Sequence, residues 1–344
     1  MRVLLTGGSG FIGSHTVRMA LKEPGISRVV NLDKLTYSGN LENLCDIEDE
    51  RYRFIHGSIN DSELLAETLG NEEIDSIIHL AAESHVDRSI DSVEPFVKTN
   101  IDGTRVILEC VKDFFNSGKD ISLIHVSTDE VYGSLGPDDL AFTEETPISP
   151  RNPYAATKAA SDMLVQAFSN TFGLKVAITR CSNNYGPNQF PEKLIPLMAL
   201  NAMEGKGLPI YGDGQQIRDW VHVNDHARGL ILTLFGLNNG KIKPGEVINF
   251  GADNEKTNLE IVHEIIDLTD AKLEQIEYVR DRPGHDRRYS MGFEKAKRVI
   301  GWEPEVSWNM GISNTISWYR ENEEWVNSIR TGEYLNWINR QYGG

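Results

Sequence analysis

Tyr154 and Lys158 lie four residues apart, and Asp129 and Glu130 follow Thr128 without a gap. A free tyrosine, with a pKa of about 10, is a poor base at neutral pH, but an ammonium one helical turn away favours the phenolate and lowers that value. On a helix the two side chains would share a face, roughly 6 Å apart along the axis. Such a pair takes a proton from a sugar or alcohol hydroxyl. Adjacent carboxyls add a second capacity, because like charges close together favour one of them staying neutral. One acid then donates a proton while its neighbour accepts one. Neither pattern is specific alone: most Tyr-x-x-x-Lys spacings are ordinary amphipathic helices, and most adjacent acids in loops are solvated turns.

The elements around these residues decide between the readings. Ile121-Ser122-Leu123-Ile124-His125-Val126 is an apolar run of strand length that breaks at Ser127, so the acid pair falls where a buried strand ends. Asn152-Pro153 then opens a helical pattern, with Asn as N-cap and proline at the first helical position. That helix carries Tyr154 and Lys158. At the other end of the chain, Arg2–Thr6 reads as a buried strand running straight into Gly7-Gly8-Ser9-Gly10-Phe11-Ile12-Gly13 and a helix that stops at Pro24-Gly25. Both Gly8-Gly10-Gly13 and Gly7-Gly10-Gly13 fit a dinucleotide turn, in which glycine lets a pyrophosphate approach the backbone and the helix N-terminus. The next strand, Val29 to Leu32, ends in Asp33, twenty residues after Gly13. A carboxylate there accepts hydrogen bonds from the adenosine ribose and repels a 2′-phosphate, which predicts NAD rather than NADP.

Further strand-like runs recur at Tyr52 to His56, Ser76 to Leu80, Ile121 to Ser127 and Lys175 to Arg180, with helical stretches between them. The alternation predicts an α/β fold, a doubly wound parallel sheet with helices on both faces. Ligands bind such sheets at the carboxyl ends of strands. Gly7 to Gly13, Asp33, Ala81-Ala82-Glu83-Ser84 and Thr128-Asp129-Glu130 all fall at such ends, and this convergence raises the chemical readings above the bland ones. His79, His85 and His125 have no motif partner and read as packing residues.

Composition excludes some classes of function. A formal net charge of -17 over 344 residues argues against nucleic acid or anionic membranes as partners. The three cysteines are widely spaced, without metal-site spacing, which predicts reduced thiols, no metal and a cytoplasmic setting. No apolar run approaches the length needed to span a bilayer, and no leader-like segment precedes the first strand. After Gly186-Pro187 prolines and glycines loosen the alternation, so residues 1–180 are expected to hold the dinucleotide, with a returning segment at about 220–252. Residues 181–344 are expected to form a smaller α/β substrate domain, in which Trp302, Trp308, Trp318, Trp325 and Trp337 pack a core.

The glycine turn, Ala81-Ala82-Glu83-Ser84-His85-Val86-Asp87-Arg88, Thr128-Asp129-Glu130-Val131-Tyr132-Gly133, Tyr154-x-x-x-Lys158, Asn183-Asn184-Tyr185-Gly186-Pro187 and Arg282-Pro283-Gly284-His285-Asp286 together carry a resemblance. The chain resembles the extended short-chain dehydrogenase/reductase superfamily, and within it the sugar-nucleotide 4,6-dehydratases, over nearly its whole length. Epimerases of that superfamily usually have small or hydroxyl residues where Asp129 and Glu130 stand. The resemblance implies catalytic roles for Thr128, Asp129, Glu130, Tyr154 and Lys158. It implies NAD contacts from Gly7, Gly10, Phe11, Ile12 and Gly13, from Asp33, Lys34 and Thr36, and from Ser58, Ile59, Leu80, Ala81, Ala82 and Thr99, besides Tyr154 and Lys158. For the sugar nucleotide, with dTDP-glucose preferred, it implies Ser84, Thr128, Asn183, Lys193 and Leu194, then Pro209, Tyr211, Arg218 and Asp253, and finally His285, Arg287, Arg288 and Tyr289. The family commonly has Gly-Asp-Ile where this chain has Gly57-Ser58-Ile59, which bears on the adenine contact and not on catalysis. The helices at about Lys98 to Asn116 and Tyr154 to Thr171 match those through which the superfamily commonly forms homodimers. Two other readings stay open at this stage: an epimerase, decarboxylase or UDP-glucose 4,6-dehydratase of the same superfamily, and a regulator that binds NAD without turnover.

Overall fold

A computed structural model describes residues 1–330 of the chain, so Trp337 lies outside the described residues. In chain order the strands are β1 (Arg2–Thr6), β2 (Arg28–Asp33), β3 (Tyr52–His56), β4 (Ser76–His79), β5 (Ser122–Val126) and β6 (Val176–Cys181). After them come β7 (Asn183–Tyr185), β8 (Leu208–Tyr211), β9 (Ile217–His222), β10 (Val247–Phe250), β11 (Glu255–Thr257) and β12 (Ile276–Val279). Seven of them form one sheet in the order β10-β6-β5-β4-β1-β2-β3, and each neighbouring pair is parallel. The smaller sheets β11-β9-β7 and β12-β8 stand outside it.

The strands of the large sheet are mostly buried because both faces are covered, except at the edge strand β3, where Arg53 and His56 are exposed. Side chains alternate between faces, so Val3 and Leu5 of β1 join one core while Leu4 between them joins the other. The helix Phe11–Lys22 and the helix Val223–Asn238 cover the first face with Val17, Leu230 and Leu234. On the second face lie the helices Ser62–Asn71, Thr104–Asn116 and Pro153–Phe172, contributing Leu65, Ile107 and Val165. A third core, with Ile195, Trp220, Ile265 and Trp308, fills the lobe built around β7, β8 and β9. β10 returns from that half of the sequence to pair with β6, with Ile248 opposite Thr179.

Two local features set up the site. The segment expected as one helix from Lys98 begins as a wide π-turn, Val97–Gly103, and becomes an α-helix only from Thr104. An i→i+5 turn carries an extra residue, which the 3.6-residue pattern of the sequence does not register. The long helix begins at Pro153, capped by Asn152, whose side-chain oxygen accepts from the Ala155 amide at 2.8 Å. It ends at Phe172 against Gly173, which takes the left-handed conformation with φ 72°.

Trp302 ties the helical layer to the sheet: it is fully buried, its ring packs edge-on against Phe250 at 4.7 Å, and its indole N–H donates to the Asp225 carbonyl at 2.8 Å. Trp302→Ala is expected to cost about 3–5 kcal/mol and to lower Tm correspondingly, read by thermal melting monitored by circular dichroism.

Candidate active site

The carboxyl ends of β1, β2, β4 and β5 open into one cleft. At its floor Gly7 turns with φ 73°, a conformation that favours glycine, and packs so closely on the segment after β4 that a Cβ there would meet the Ala81 backbone at 2.7 Å. A Cβ on Gly13 would lie 2.1 Å from the Gly7 carbonyl oxygen. Gly7, Gly10 and Gly13 line the cleft, whereas Gly8 packs against the Asn31 side chain, so geometry selects the wider of the two glycine spacings. The helix that starts at Phe11 has no side-chain cap, so the amides of its first turn face the cleft open to an anion. Asp33 is fixed by two amides, Ser9 N–H to one oxygen at 2.9 Å and Leu35 N–H to the other at 2.8 Å. Burial raises its carboxyl above the usual range, and those two hydrogen bonds oppose the rise.

The other expected cofactor residues lie on the same walls. Phe11, Ile12, Lys34, Thr36, Ser58 and Ile59 line the outer half, and Leu80, Ala81, Ala82, Thr99, Tyr154 and Lys158 the inner half. The Ser58 hydroxyl oxygen accepts from the Asn60 amide at 3.2 Å, so it shapes the turn after β3 as well as lining the cleft. Asn100, which sequence reasoning misses, sits in the π-turn and is fully buried. Its side-chain oxygen accepts from the Glu83 amide at 2.9 Å, and its amide donates to the Glu83 carbonyl at 3.0 Å and the Thr157 hydroxyl at 2.9 Å. It thereby joins the loop after β4 to the Tyr154 helix. Asn100 makes these bonds from within the π-turn, which no periodicity announces.

The catalytic candidates meet at the end of β5. Thr128 caps a tight 3-10 turn, Asp129–Tyr132, its hydroxyl oxygen accepting from the Glu130 amide at 3.3 Å. Asp129 is 3% exposed and its carboxyl is pushed up to about 8, first by burial and then by the Glu130 charge beside it. It is therefore protonated at neutral pH, as an acid donor must be. Tyr154, against Phe96 and within hydrogen-bonding reach of Thr128, faces the same point. Lys158, fully enclosed, donates to the Val126 carbonyl at 2.8 Å. The expected lowering of the Tyr154 pKa by Lys158 is not what this arrangement produces. Burial and the neighbouring Glu130 charge hold the phenol well above its ordinary value, and burial lowers Lys158 to about 8. Loss of hydration outweighs attraction here because both groups are withdrawn from water. His79 hydrogen-bonds Thr6 and Thr104, His125 faces Asp162 at 3.3 Å, and burial lowers the pKa of both, so they are neutral packing groups.

Beside the cleft an adjoining cavity is walled by Asn183, Lys193, Leu194, Pro209, Tyr211, Arg218, His285 and Tyr289, while Ser84 stands on the first cleft. Glu130 lines both spaces. Three expected substrate residues stand off these walls. Arg287 pairs with Asp213 at 3.0 Å, Arg288 pairs with Glu255 at 2.6 Å, and Asp253 occupies a left-handed turn with φ 50° after β10. A cation the sequence reading passes over, Arg282, is in the wall instead, paired with Asp87 at 3.2 Å. Glu192 is another omission, buried beside Arg88 at 3.2 Å.

A family model described as GDP-mannose 4,6 dehydratase matches residues 4–315. A dTDP-glucose 4,6-dehydratase of Shigella flexneri is 48% identical, the alignment covering 100% of this chain and 99% of that one. Among solved structures, a dTDP-glucose 4,6-dehydratase from Streptomyces venezuelae with NAD and dTDP bound superposes with a TM-score of 0.90 at 46% identity, covering 96% of this chain and 100% of that chain. A UDP-glucose 4-epimerase from Thermotoga maritima reaches a TM-score of 0.84 at 30% identity, covering 94% of this chain and 100% of that one.

The Asp129 carboxyl sets a pH dependence whose sign is fixed. A carboxyl raised by folding leaves the native state holding a proton that the unfolded chain gives up, so its contribution is present below the unfolded pKa and is lost as pH rises from there through about 8. Asp129→Asn removes that titration. The variant is expected to gain stability over the parent as pH is raised from about 4 to 8, by up to about 1.4 kcal/mol per pH unit, and to hold that gain constant above it, measured by thermal melts across pH.

Proposed function

The chain belongs to the family described as GDP-mannose 4,6 dehydratase, and from that membership we propose a dTDP-glucose 4,6-dehydratase, a hydro-lyase that uses NAD catalytically and ends with no net redox change. The cleft fits NAD. The open first turn after Gly10 meets a pyrophosphate, the fixed Asp33 carboxylate meets a ribose and repels a 2′-phosphate, and a side chain on Gly7 or Gly13 would collide with backbone. When bound, NAD would supply hydride acceptance at C4 of the hexose and hydride donation at C6. As the C4 base Tyr154 must first shed its own proton against the burial that holds the phenol high, which a nearby Lys158 cation favours; Thr128 would hydrogen-bond the oxygen left behind, and Lys158 would also hold the nicotinamide ribose.

The C4 ketone makes the C5 proton acidic. Glu130 takes that proton, the C5 electron pair forms a double bond to C6, and the C6–O bond breaks. Asp129 gives its proton to the departing hydroxide, which leaves as water. Return of hydride to C6 and a proton to C5 completes a 4-keto-6-deoxy sugar nucleotide for deoxysugar synthesis. The observation that carries this reading is the unequal acid pair: Asp129 buried and protonated, Glu130 accepting a hydrogen bond beside it, both lining the cleft that Tyr154 faces. An epimerase needs no such pair.

In the adjoining cavity Lys193, Arg218 and Arg282 supply cations for the diphosphate, with Asn183 and His285 at its edges. Residues 1–180, with a returning segment at about 220–252 that includes β10, are assigned to the cofactor, and the remainder of 181–344 to the sugar nucleotide. The three thiols are free, which supports a cytoplasmic setting, and no described helix is long and apolar enough to cross a membrane.

Mass spectrometry of the product from dTDP-glucose should show the loss of one water, with UDP-glucose turned over more slowly. A product of unchanged mass would instead favour epimerisation. Tyr154→Phe should lower kcat by about 10²–10⁴, with the nucleotide still bound.

We also propose a homodimer through the helices Thr104–Asn116 and Pro153–Phe172, which pack on each other and leave Met163 55% and Phe115 39% exposed. Light scattering should give twice the chain mass of 38.6 kDa, and Met163→Glu should shift it towards the monomer.

A further inference from the structure

Resting on the assignment of Glu130 as the C5 base, we propose that Asn152 is a positioning residue for the elimination step, aiming the Glu130 carboxylate from the N-cap of the helix that carries Tyr154. Asn152 is 8% exposed and makes two hydrogen bonds of opposite sense. Its side-chain oxygen accepts from the Ala155 amide at 2.8 Å, and its side-chain nitrogen donates to Glu130 Oε2 at 2.9 Å. The first bond dictates the second. A backbone N–H can only donate, so the cap commits the amide oxygen to Ala155 and leaves the NH₂ end facing Glu130. An NH₂ group can only donate, so Glu130 meets it as an acceptor. Oε1 has no hydrogen-bond partner among the described residues and is left to take the proton.

The cations that face Glu130, namely Lys193, Arg218 and Arg282, balance its charge, and Asp129, Tyr154 and Tyr289 complete the titratable surroundings. None of these is shown hydrogen-bonding the carboxylate. The Thr128 hydroxyl fixes the Glu130 main chain, and Asn152 fixes its far end. Because Asn152 also starts the Pro153–Phe172 helix, the C5 base and the C4 base share one mechanical origin two residues from Tyr154.

The test separates aim from capping. Serine and aspartate both cap helices well, so Asn152→Asp keeps the helix start while removing the donor, and Asn152→Ser keeps it while leaving only a hydroxyl on a shorter stem. Both are expected to keep Tm, KM for dTDP-glucose and the pre-steady-state rate of C4 oxidation, followed by nicotinamide absorbance. Both should lower kcat about 10- to 100-fold, the range a hydrogen bond to a charged group supports, with Asp the more severe for placing a second negative charge against Glu130. A kinetic isotope effect with C5-deuterated substrate should grow as proton removal becomes limiting. Wild-type kcat and an unchanged isotope effect in Asn152→Asp would overturn the positioning role. Glu130→Gln separates the two claims: should it turn over like the parent, Glu130 is not the base, whereas a dead Glu130→Gln beside a fully active Asn152→Asp leaves the base in place and removes Asn152 from its support.

Discussion

Withdrawal from water at the end of β5 governs this molecule. Asp129, Tyr154 and Lys158 are all enclosed there, and for each of them burial is the largest influence on its proton. In water a carboxyl near 4 would offer no acid at neutral pH. Enclosure turns Asp129 into a proton donor and leaves Glu130 beside it, a difference that two solvated neighbours would not sustain. The parallel sheet makes this possible. Covered on both faces, it supplies a dry rim at its strand ends, and a helix on each side to close it.

Such a rim needs support from below, because buried charge is costly. Lys158 is anchored on the Val126 carbonyl, and one turn further along its helix Asp162 receives Arg180 at 3.0 Å. Arg180 stacks over the Tyr132 ring at 4.7 Å, and the Tyr132 hydroxyl donates to Asn249 of β10 at 2.9 Å. The returning strand is therefore wired to the turn that presents Asp129 and Glu130. A charge network of this kind adds little net stability, but it leaves the helix with one register against β5 and β6.

What could be read from the sequence is what local patterns encode. The glycine turn, Asp33 at the end of β2, the strand that stops before Thr128 and the Asn152-Pro153 helix start each depend on a few neighbouring residues, and each fell where its spacing implied. Three things were not legible. The π-turn at Val97–Gly103 breaks periodicity without a glycine or proline signal at its start, which hid Asn100. The direction of the Tyr154 pKa is a matter of enclosure by residues far away in sequence, so the spacing to Lys158 gave the wrong sign. Arg287 and Arg288 stood in a motif beside Arg282, and only the path of the chain between β12 and the Glu294–Ile300 helix decides which guanidinium turns inward.

That stretch of chain also explains why the two lobes act as one site. Arg282 crosses to Asp87, Asp286 receives Arg151 at 3.3 Å, and the Leu135 amide donates to the Arg288 carbonyl at 3.0 Å. Asp87, Arg151 and Leu135 all belong to the cofactor half, two of them on the loop between the acid pair and the Tyr154 helix. Each isolated pair is worth little where it meets solvent. Together they pin one segment at three points, so the cavity proposed for the sugar nucleotide has as one wall the segment tied to the loop between Glu130 and Tyr154. The cleft and the adjoining cavity thereby share a boundary at Glu130, which lines both.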